Sequence, residues 1–339
     1  MNQLSTKNRV SRPKSRIGNY PHVGVLANCM KSPEICRYDL LFATPLRKLI
    51  LSVTMKFSLT LIYIYVSIAA LTGCTHLFMQ PDRVDYALLW MDQRDFTEDH
   101  FFKTADGVEL HGWYISEPDR EVKPKALIVQ LHGNAQNISA HYHSTVWLIE
   151  HDFEIFTFDY RGYGMSETGK DIHKAMTDID AGIAYAAKLA AKKKIPLIFY
   201  GQSLGGSLLL KYLKENPKKW DPKLVIVQSS FYSYQGIARE KLAYSFVTWP
   251  FQWLAYVAVS SSLDPGGEDL EKIKHMPTLL IYSESDPIVP IHHGVKIFGD
   301  LKGDKTFWTY RAFGHLNYHA DKDGINQNKL AEFMETKLK

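Results

Sequence analysis

Cysteine is nearly absent: of 339 residues only Cys29, Cys36 and Cys74 carry a thiol, and none lies between Thr75 and Lys339. A disulfide framework and a cysteine-ligated zinc site are thereby excluded beyond residue 74. The stability of that stretch must come from an ordinary apolar core, and its 265 residues are enough to build one. A basic excess is also lacking over most of the chain, although the formal net charge is +4. Residues 1–54 hold nine Lys and Arg against Glu34 and Asp39 alone, which leaves residues 55–339 with a net of −3. A surface of that sign has no general attraction for phosphate backbones, so a role built on nucleic-acid binding is excluded. Internal repeats and low-complexity linkers are lacking too. With 45% apolar and 22% charged residues the composition is neither disordered nor fibrous.

One apolar run stands out. Phe57 to Gly73 reads FSLTLIYIYVSIAALTG, seventeen residues without a charge, after Met55-Lys56. That length is at the short limit for a spanning helix and overlaps the core of a signal peptide. The run ends Leu71-Thr72-Gly73-Cys74, with small residues before a lone cysteine. This resembles the lipobox of bacterial lipoproteins, which implies cleavage before Cys74, lipidation of its thiol and a membrane-anchored mature chain. An uncleaved signal anchor is the alternative. A single acyl chain holds only marginally at roughly 0.8 kcal/mol per buried methylene, whereas two or three anchor firmly. Thr75 stands where an aspartate favours inner-membrane retention in the lipoproteins it resembles, so the resemblance implies the bacterial envelope, with the outer membrane favoured. The 54 residues ahead are far longer than an ordinary n-region. Translation is therefore expected to begin at Met55, with 1–54 an upstream extension, a disordered tail being the alternative. The division is then 1–54, a signal peptide over 55–73, anchor and linker over 74–97, and one folded domain over 98–338.

The folded domain reads as α/β. His100 to Ile115 (HFFKTADGVELHGWYI) holds two alternating segments around Asp106-Gly107, a hairpin signal. Continuous apolar runs follow at Ala126–Leu131, Phe153–Phe158, Pro196–Tyr200 and Leu224–Val227, then at Thr278–Tyr282 and Thr306–Tyr310. Runs apolar at successive positions are buried on both faces, as in a parallel sheet covered by helices. Asp171 is placed to cap a helix with Ile172, Met176, Ile179 and Ile183 on one side, ending at Lys192-Lys193-Lys194 before Pro196. The last helix carries Leu330, Phe333, Met334 and Leu338 on one stripe. About fifty residues separate the runs at 224 and 278, where a crossover needs only about a dozen. This surplus, about 231–275, is rich in aromatics. It is either a small cap-like insertion between the sixth and seventh strands, lining an apolar pocket, or core for one longer helix.

The residues that carry chemistry sit at strand ends. Gly201-Gln202-Ser203-Leu204-Gly205-Gly206 follows a buried run and precedes a helix-compatible stretch. Glycines two before and two after let the backbone fold tightly around a serine, and the helix start aims N–H groups at the reaction. A serine needs a base, and the base an acid that fixes its tautomer. Of fourteen histidines, His315 lies in the loop after the last strand, with His319 the nearest rival. His141, His143, His292 and His293 are expected at the surface. Asp286 ends the run TLLIY within Ser283-Glu284-Ser285-Asp286-Pro287, with Glu284 the runner-up. His315 and His319 have the spacing of a helical zinc motif without its glutamate, so no metal is expected. Gly162 and Gly164 match two glycines of a dinucleotide fingerprint, but Glu167 occupies the third place, so no cofactor is expected.

The order Ser203, Asp286, His315 resembles the α/β-hydrolase superfamily over residues 98–338, within it the membrane-tethered serine hydrolases of the lysophospholipase and acyl-thioesterase kind. The resemblance implies a mostly parallel sheet with N-terminal hairpin strands, helices on both faces and an acyl-enzyme route. His132-Gly133-Asn134 looks like the family's oxyanion loop, implying that the Asn134 N–H joins the Leu204 N–H. Asn134-Ala135 replaces the glycine run of the lipase type, which leaves open which of those two amides is the second donor. Asp159-Tyr160-Arg161-Gly162-Tyr163-Gly164 resembles a turn that is structural in the family. A lipid-anchored hydrolase of esters or thioesters follows, with a small-molecule or lipid acyl substrate and the membrane as partner. The alternatives are a peptidase on the same triad and a non-catalytic lipoprotein that binds a partner through the aromatic insertion.

Overall fold

The computed structural model describes residues 52–58, 60, 62, 78–86, 96–117, 121–169, 171–311, 314–321 and 323–339. Cys74 and residues 63–73 lie outside the described residues, and with them the lipidation site and most of the signal sequence. The chain divides into two compact units, Met1–Ser67 and Ile68–Lys339. In the first, residues 52–58 are helical. Among the described residues no helix is long and apolar enough to cross a membrane.

The second unit is built on eight strands: β1 (Thr97–Lys103), β2 (Glu109–Ile115), β3 (Ala126–Leu131), β4 (Phe153–Phe158), β5 (Leu197–Gln202), β6 (Leu224–Gln228), β7 (Thr278–Ser283) and β8 (Lys305–Tyr310). Their order in the sheet is β1-β2-β4-β3-β5-β6-β7-β8. β1 and β2 pair antiparallel, as do β2 and β4, and every later pairing is parallel. The hairpin turn falls at Asp106-Gly107 as the alternation requires, with Gly107 at φ +88°.

β3, β4, β6 and β7 are buried at every position, which is why they read as unbroken apolar runs. Successive side chains feed two separate cores. Leu127, Val129, Phe199, Val225 and Leu280 pack on one face with α2 (Ala175–Lys193) and α3 (Leu204–Glu215). Ile128, Ile198, Ile226, Leu279 and Ile281 pack on the other with Leu148 and with Leu330 and Met334 of α7 (Ile325–Leu338). The remaining helices are the short α1 (Ile138–His141), α4 (Tyr234–Ala243), α5 (Leu254–Ala258) and α6 (His292–Asp300).

Three expectations need correction. α2 starts at Ala175, not at an Asp171 cap; the Asp171 carboxylate instead accepts from His173 N at 3.0 Å and closes a turn ahead of the helix. The surplus between β6 and β7 is not one long helix but α4, a 3₁₀ turn at Trp249–Phe251, α5 and a second 3₁₀ turn at Glu268–Ile273. Of its aromatics only Phe231 and Tyr234 are core, whereas Tyr244, Phe246, Trp249, Phe251, Trp253 and Tyr256 are exposed. His293 is buried against expectation, because Glu240 and the Tyr232 backbone close over it.

Candidate active site

The serine sits where β5 turns into α3. Ser203 precedes the first helical residue with φ 51° and ψ −116°, a conformation costing a non-glycine residue about 1–3 kcal/mol. Crowding dictates the flanking glycines: a Cβ on Gly205 would lie 2.2 Å from Leu131 O, and one on Gly201 2.5 Å from Gly206 Cα. The strand ladder still holds the strained residue, since Ser203 N donates to Gln228 O at 2.9 Å. The Leu204 N–H opens α3 and has no acceptor within the helix.

Asp286 and His315 are brought together across 29 residues of sequence, His315 Nδ1 donating to Asp286 Oδ2 at 2.7 Å. The other oxygen, Oδ1, accepts from Ile288 N at 2.8 Å and Val289 N at 3.0 Å. Burial works against the Asp286 charge, but the His315 hydrogen bond and the two amides outweigh it and hold the carboxyl below its usual range. An ionised carboxylate only accepts, so Nδ1 carries the proton and a neutral His315 keeps the Nε2 lone pair. The runner-up Glu284 points elsewhere, accepting from Arg311 Nε at 3.0 Å and Thr309 Oγ1 at 3.2 Å.

The loop after β3 approaches the serine. A Cβ on Gly133 would stand 3.1 Å from His141 Cε1 and 3.5 Å from Ser203 Cβ, so His141 and Ser203 flank that glycine. Burial lowers the His141 pKa, and the nearby His315 ring adds a smaller effect of the same sign. His141 is half-buried and not freely exposed as expected. Its Nε2 donates to Ala135 O at 3.1 Å, bracing a turn in which Ala135 and Gln136 both take positive φ, 58° and 57°. The Asn134 side-chain oxygen accepts from Gln80 N and Tyr163 OH, each at 2.9 Å, and Ile138 N donates to Asp159 Oδ1 at 2.9 Å. Asp159 is thus a brace for the loop. Among the described residues no hydrogen bond joins Ser203 Oγ to the His315 ring, a contact that in hydrolases often tightens only with substrate bound.

Beneath the serine lies a feature the sequence reading missed. Gln130, Gln202 and Gln228, at the ends of β3, β5 and β6, form a buried ladder: Gln130 Nε2 donates to Gln202 Oε1 at 2.9 Å, and Gln202 Nε2 to Gln228 Oε1 at 3.1 Å. Thr145 Oγ1 and Tyr200 OH close its ends. A glutamine near the end of three otherwise apolar strand runs was the available signal.

Glu240, His292 and His293 are the one group among the described residues with three metal-ligand atoms close together, within 4.8 Å. Its donor chemistry does not suit a metal. Tyr232 N donates to His293 Nδ1 at 3.0 Å, so Nε2 holds the ring proton and donates it to Glu240 Oε2 at 3.2 Å. The group reads as a strut joining α4 to α6. A cavity of about 530 Å³ near Glu98, His100, Glu154 and Lys193 lies at the opposite, N-terminal end of the parallel strands, away from Ser203.

Comparison with known proteins agrees with this architecture. Residues 122–267 match the family model described as serine aminopeptidase, S33. The YfhR protein of Escherichia coli (strain K12) is 28% identical over 239 residues, 70% of this chain and 80% of that one. The lysophosphatidylserine lipase ABHD12 of Mus musculus is 27% identical over 231 residues, 65% of this chain but only 55% of its own length. The Pyrococcus furiosus esterase Pf2001 superposes with a TM-score of 0.61 at 19% identity, covering 76% of this chain and 98% of that structure. With a hairpin-led parallel sheet, helices on both faces and a Gly-x-Ser-x-Gly turn between β5 and α3, the chain has the α/β-hydrolase fold and is similar to serine hydrolases.

Proposed function

We propose that the chain hydrolyses carboxylic esters or thioesters of acyl lipids through Ser203, Asp286 and His315. The observation that carries this reading is the conjunction of a strained serine at the start of α3 with a carboxylate-oriented imidazole in the loop after β8. In the first step His315 Nε2 takes the Ser203 Oγ proton as Oγ attacks the carbonyl carbon. The Leu204 N–H and an N–H of the Asn134 turn receive the developing oxyanion, each such donor lowering the barrier by about 3 kcal/mol. His315 then gives its proton to the leaving alcohol or thiol, and an acyl ester remains on Ser203. Water, deprotonated by the same nitrogen, attacks that ester; the acid leaves and Oγ regains a proton. Asp286 stays ionised and supports the imidazolium at each transfer.

The acyl-lipid preference is supported by the names of the relatives, a lysophosphatidylserine lipase and an esterase, and by the aromatic insertion. The peptidase reading is kept alive by the S33 description. The wild-type chain is expected to turn over p-nitrophenyl esters, with Ser203→Ala at background. Turnover of amide substrates in preference to esters would transfer the reading to a peptidase, and no turnover of either would leave the non-catalytic lipoprotein. Attachment at Cys74, in a bacterial envelope with the outer membrane favoured, belongs to the same proposal. Labelled palmitate should enter the wild-type chain and not Cys74→Ala.

A further inference from the structure

The exposed part of the insertion is unusual in what it leaves out. From Leu242 to Leu263 there are 22 residues without a single charge. Within them six aromatic side chains face solvent, Phe246 with 93% of its surface exposed. A monomer surface rarely shows so contiguous an apolar stretch without an occupant.

The polar groups identify the occupant. Protein partners are met with about one hydrogen bond per 100–200 Å² of interface. Here the polar side chains turn back onto their own segment. Thr248 Oγ1 donates to Leu242 O at 2.6 Å, Gln252 Nε2 to Trp249 O at 3.0 Å, and Ser245 Oγ accepts from Val247 N at 3.3 Å. The backbone does likewise: Trp249 N donates to Ser245 O at 2.8 Å, Phe251 N to Thr248 O at 2.9 Å and Tyr256 N to Trp253 O at 3.1 Å. Internal satisfaction of backbone and side chain is what hydrocarbon demands and water does not. Trp and Tyr beside Phe and Val match the aromatic composition of a bilayer interface. The helices are too short to span, three and five residues, so the segment can only lie in the interfacial plane. The charge beside it fits anionic headgroups: Arg239 and Lys241 are exposed, while Glu240 between them is engaged by His292 and His293.

We propose that residues 244–257 are a docking surface for an anionic lipid bilayer, entering the interface by their aromatic side chains. The proposal rests on the ester-hydrolase reading only in supposing that the bilayer supplies substrate. The uncharged run 57–73, expected to address the chain to a membrane, makes binding alone uninformative. The test therefore reads the insertion itself.

The full chain is added to phosphatidylcholine–phosphatidylglycerol vesicles with brominated acyl chains, and tryptophan emission is compared with that of Trp249→Phe/Trp253→Phe. The bromine-quenched fraction is expected to fall at least twofold in the double variant. A second arm uses Phe246→Asp, expected to lose tenfold or more in hydrolysis of a vesicle-embedded monoacyl ester while soluble p-nitrophenyl acetate turns over unchanged. An unaltered quenched fraction overturns the proposal. So does Phe246→Asp with full activity on vesicles, or a dimer in light scattering that this substitution dissolves. Absence of any ester turnover would sink the hydrolase reading and leave the quenching arm to decide docking by itself.

Discussion

Gln202 receives a hydrogen bond from Gln130 at 2.9 Å and gives one to Gln228 at 3.1 Å, so the residue just before the serine is tied to both neighbouring strands. All three amides are fully buried. Replacing the middle member removes one bond from each neighbour, while Gln130 Nε2 keeps His141 O at 3.0 Å and Ser144 Oγ at 3.1 Å, and Gln228 Oε1 keeps Tyr200 OH at 2.6 Å. Gln202→Leu is expected to cost about 0.5–1.5 kcal/mol for each hydrogen bond lost, read as a lower urea midpoint at unchanged slope. A double-mutant cycle with Gln130→Leu should return strong coupling, because the first substitution already removes the partner of the second.

On the proposed mechanism Asp286 is the acid, and its rival Glu284 provides the control. Asp286→Asn keeps the side chain's shape but loses the charge that fixes the His315 tautomer, so kcat on an ester is expected to fall about 10⁴-fold. Glu284→Gln should leave kcat within about a factor of two, since its carboxylate meets Arg311 and Thr309 and mutations at such exposed pairs have small effects. Equal losses in both variants would contradict the assignment.

The Ala135–Gln136 turn carries two positive φ angles, and His141 braces it from below through the Ala135 carbonyl. His141→Ala should lower kcat by about tenfold to a hundredfold with KM little changed, because on the proposed mechanism a donor in this turn acts in the transition state. His141→Gln, which keeps an N–H donor, should recover part of the loss. A purely structural role would lower stability in both variants without separating their kcat.

His132 sets a pH dependence. It is fully buried, stacked 4.4 Å from the Tyr160 ring, and burial lowers its pKa to about 3. Between the usual value of 6.5 and about 3 the unfolded chain holds a proton that the folded chain refuses. Stability is thus complete above the unfolded pKa and falls as the pH drops, by up to roughly 1.4 kcal/mol per pH unit from this residue. Asp286, whose carboxyl is held low, adds loss of the same sign at more acid pH. His132→Asn should flatten the dependence of the urea midpoint between about pH 6 and 4. An unchanged slope would contradict the account.

The sequence made the fold legible where both faces of a strand are buried. The runs 126–131 and 153–158 coincide with β3 and β4, since an unbroken apolar run has no other home in an α/β layer. β5 continues past its apolar run through Gly201 and Gln202, whose pairing with β6 residues no single-strand pattern reveals. His293, expected at the surface, is buried and His141 half-buried, because covering of an imidazole depends on acceptors and donors brought by other segments, here Ala135 and Tyr232. The insertion has no regular period, so nothing in its pattern separates buried Phe231 and Tyr234 from exposed Phe246 and Trp249. Ser203, Asp286 and His315 were each singled out at a strand end, and the structure hydrogen-bonds the last two to one another. The bracing through Gln202 and His141 was not legible, because it is made between segments whose contacts no local pattern reveals.

The most direct measurement is peptide mapping of the intact chain after reaction with a fluorophosphonate. One phosphonyl adduct on Ser203 is expected, with its rate cut by orders of magnitude in His315→Ala. An adduct on another serine, or none on a chain that still hydrolyses esters, would contradict the account.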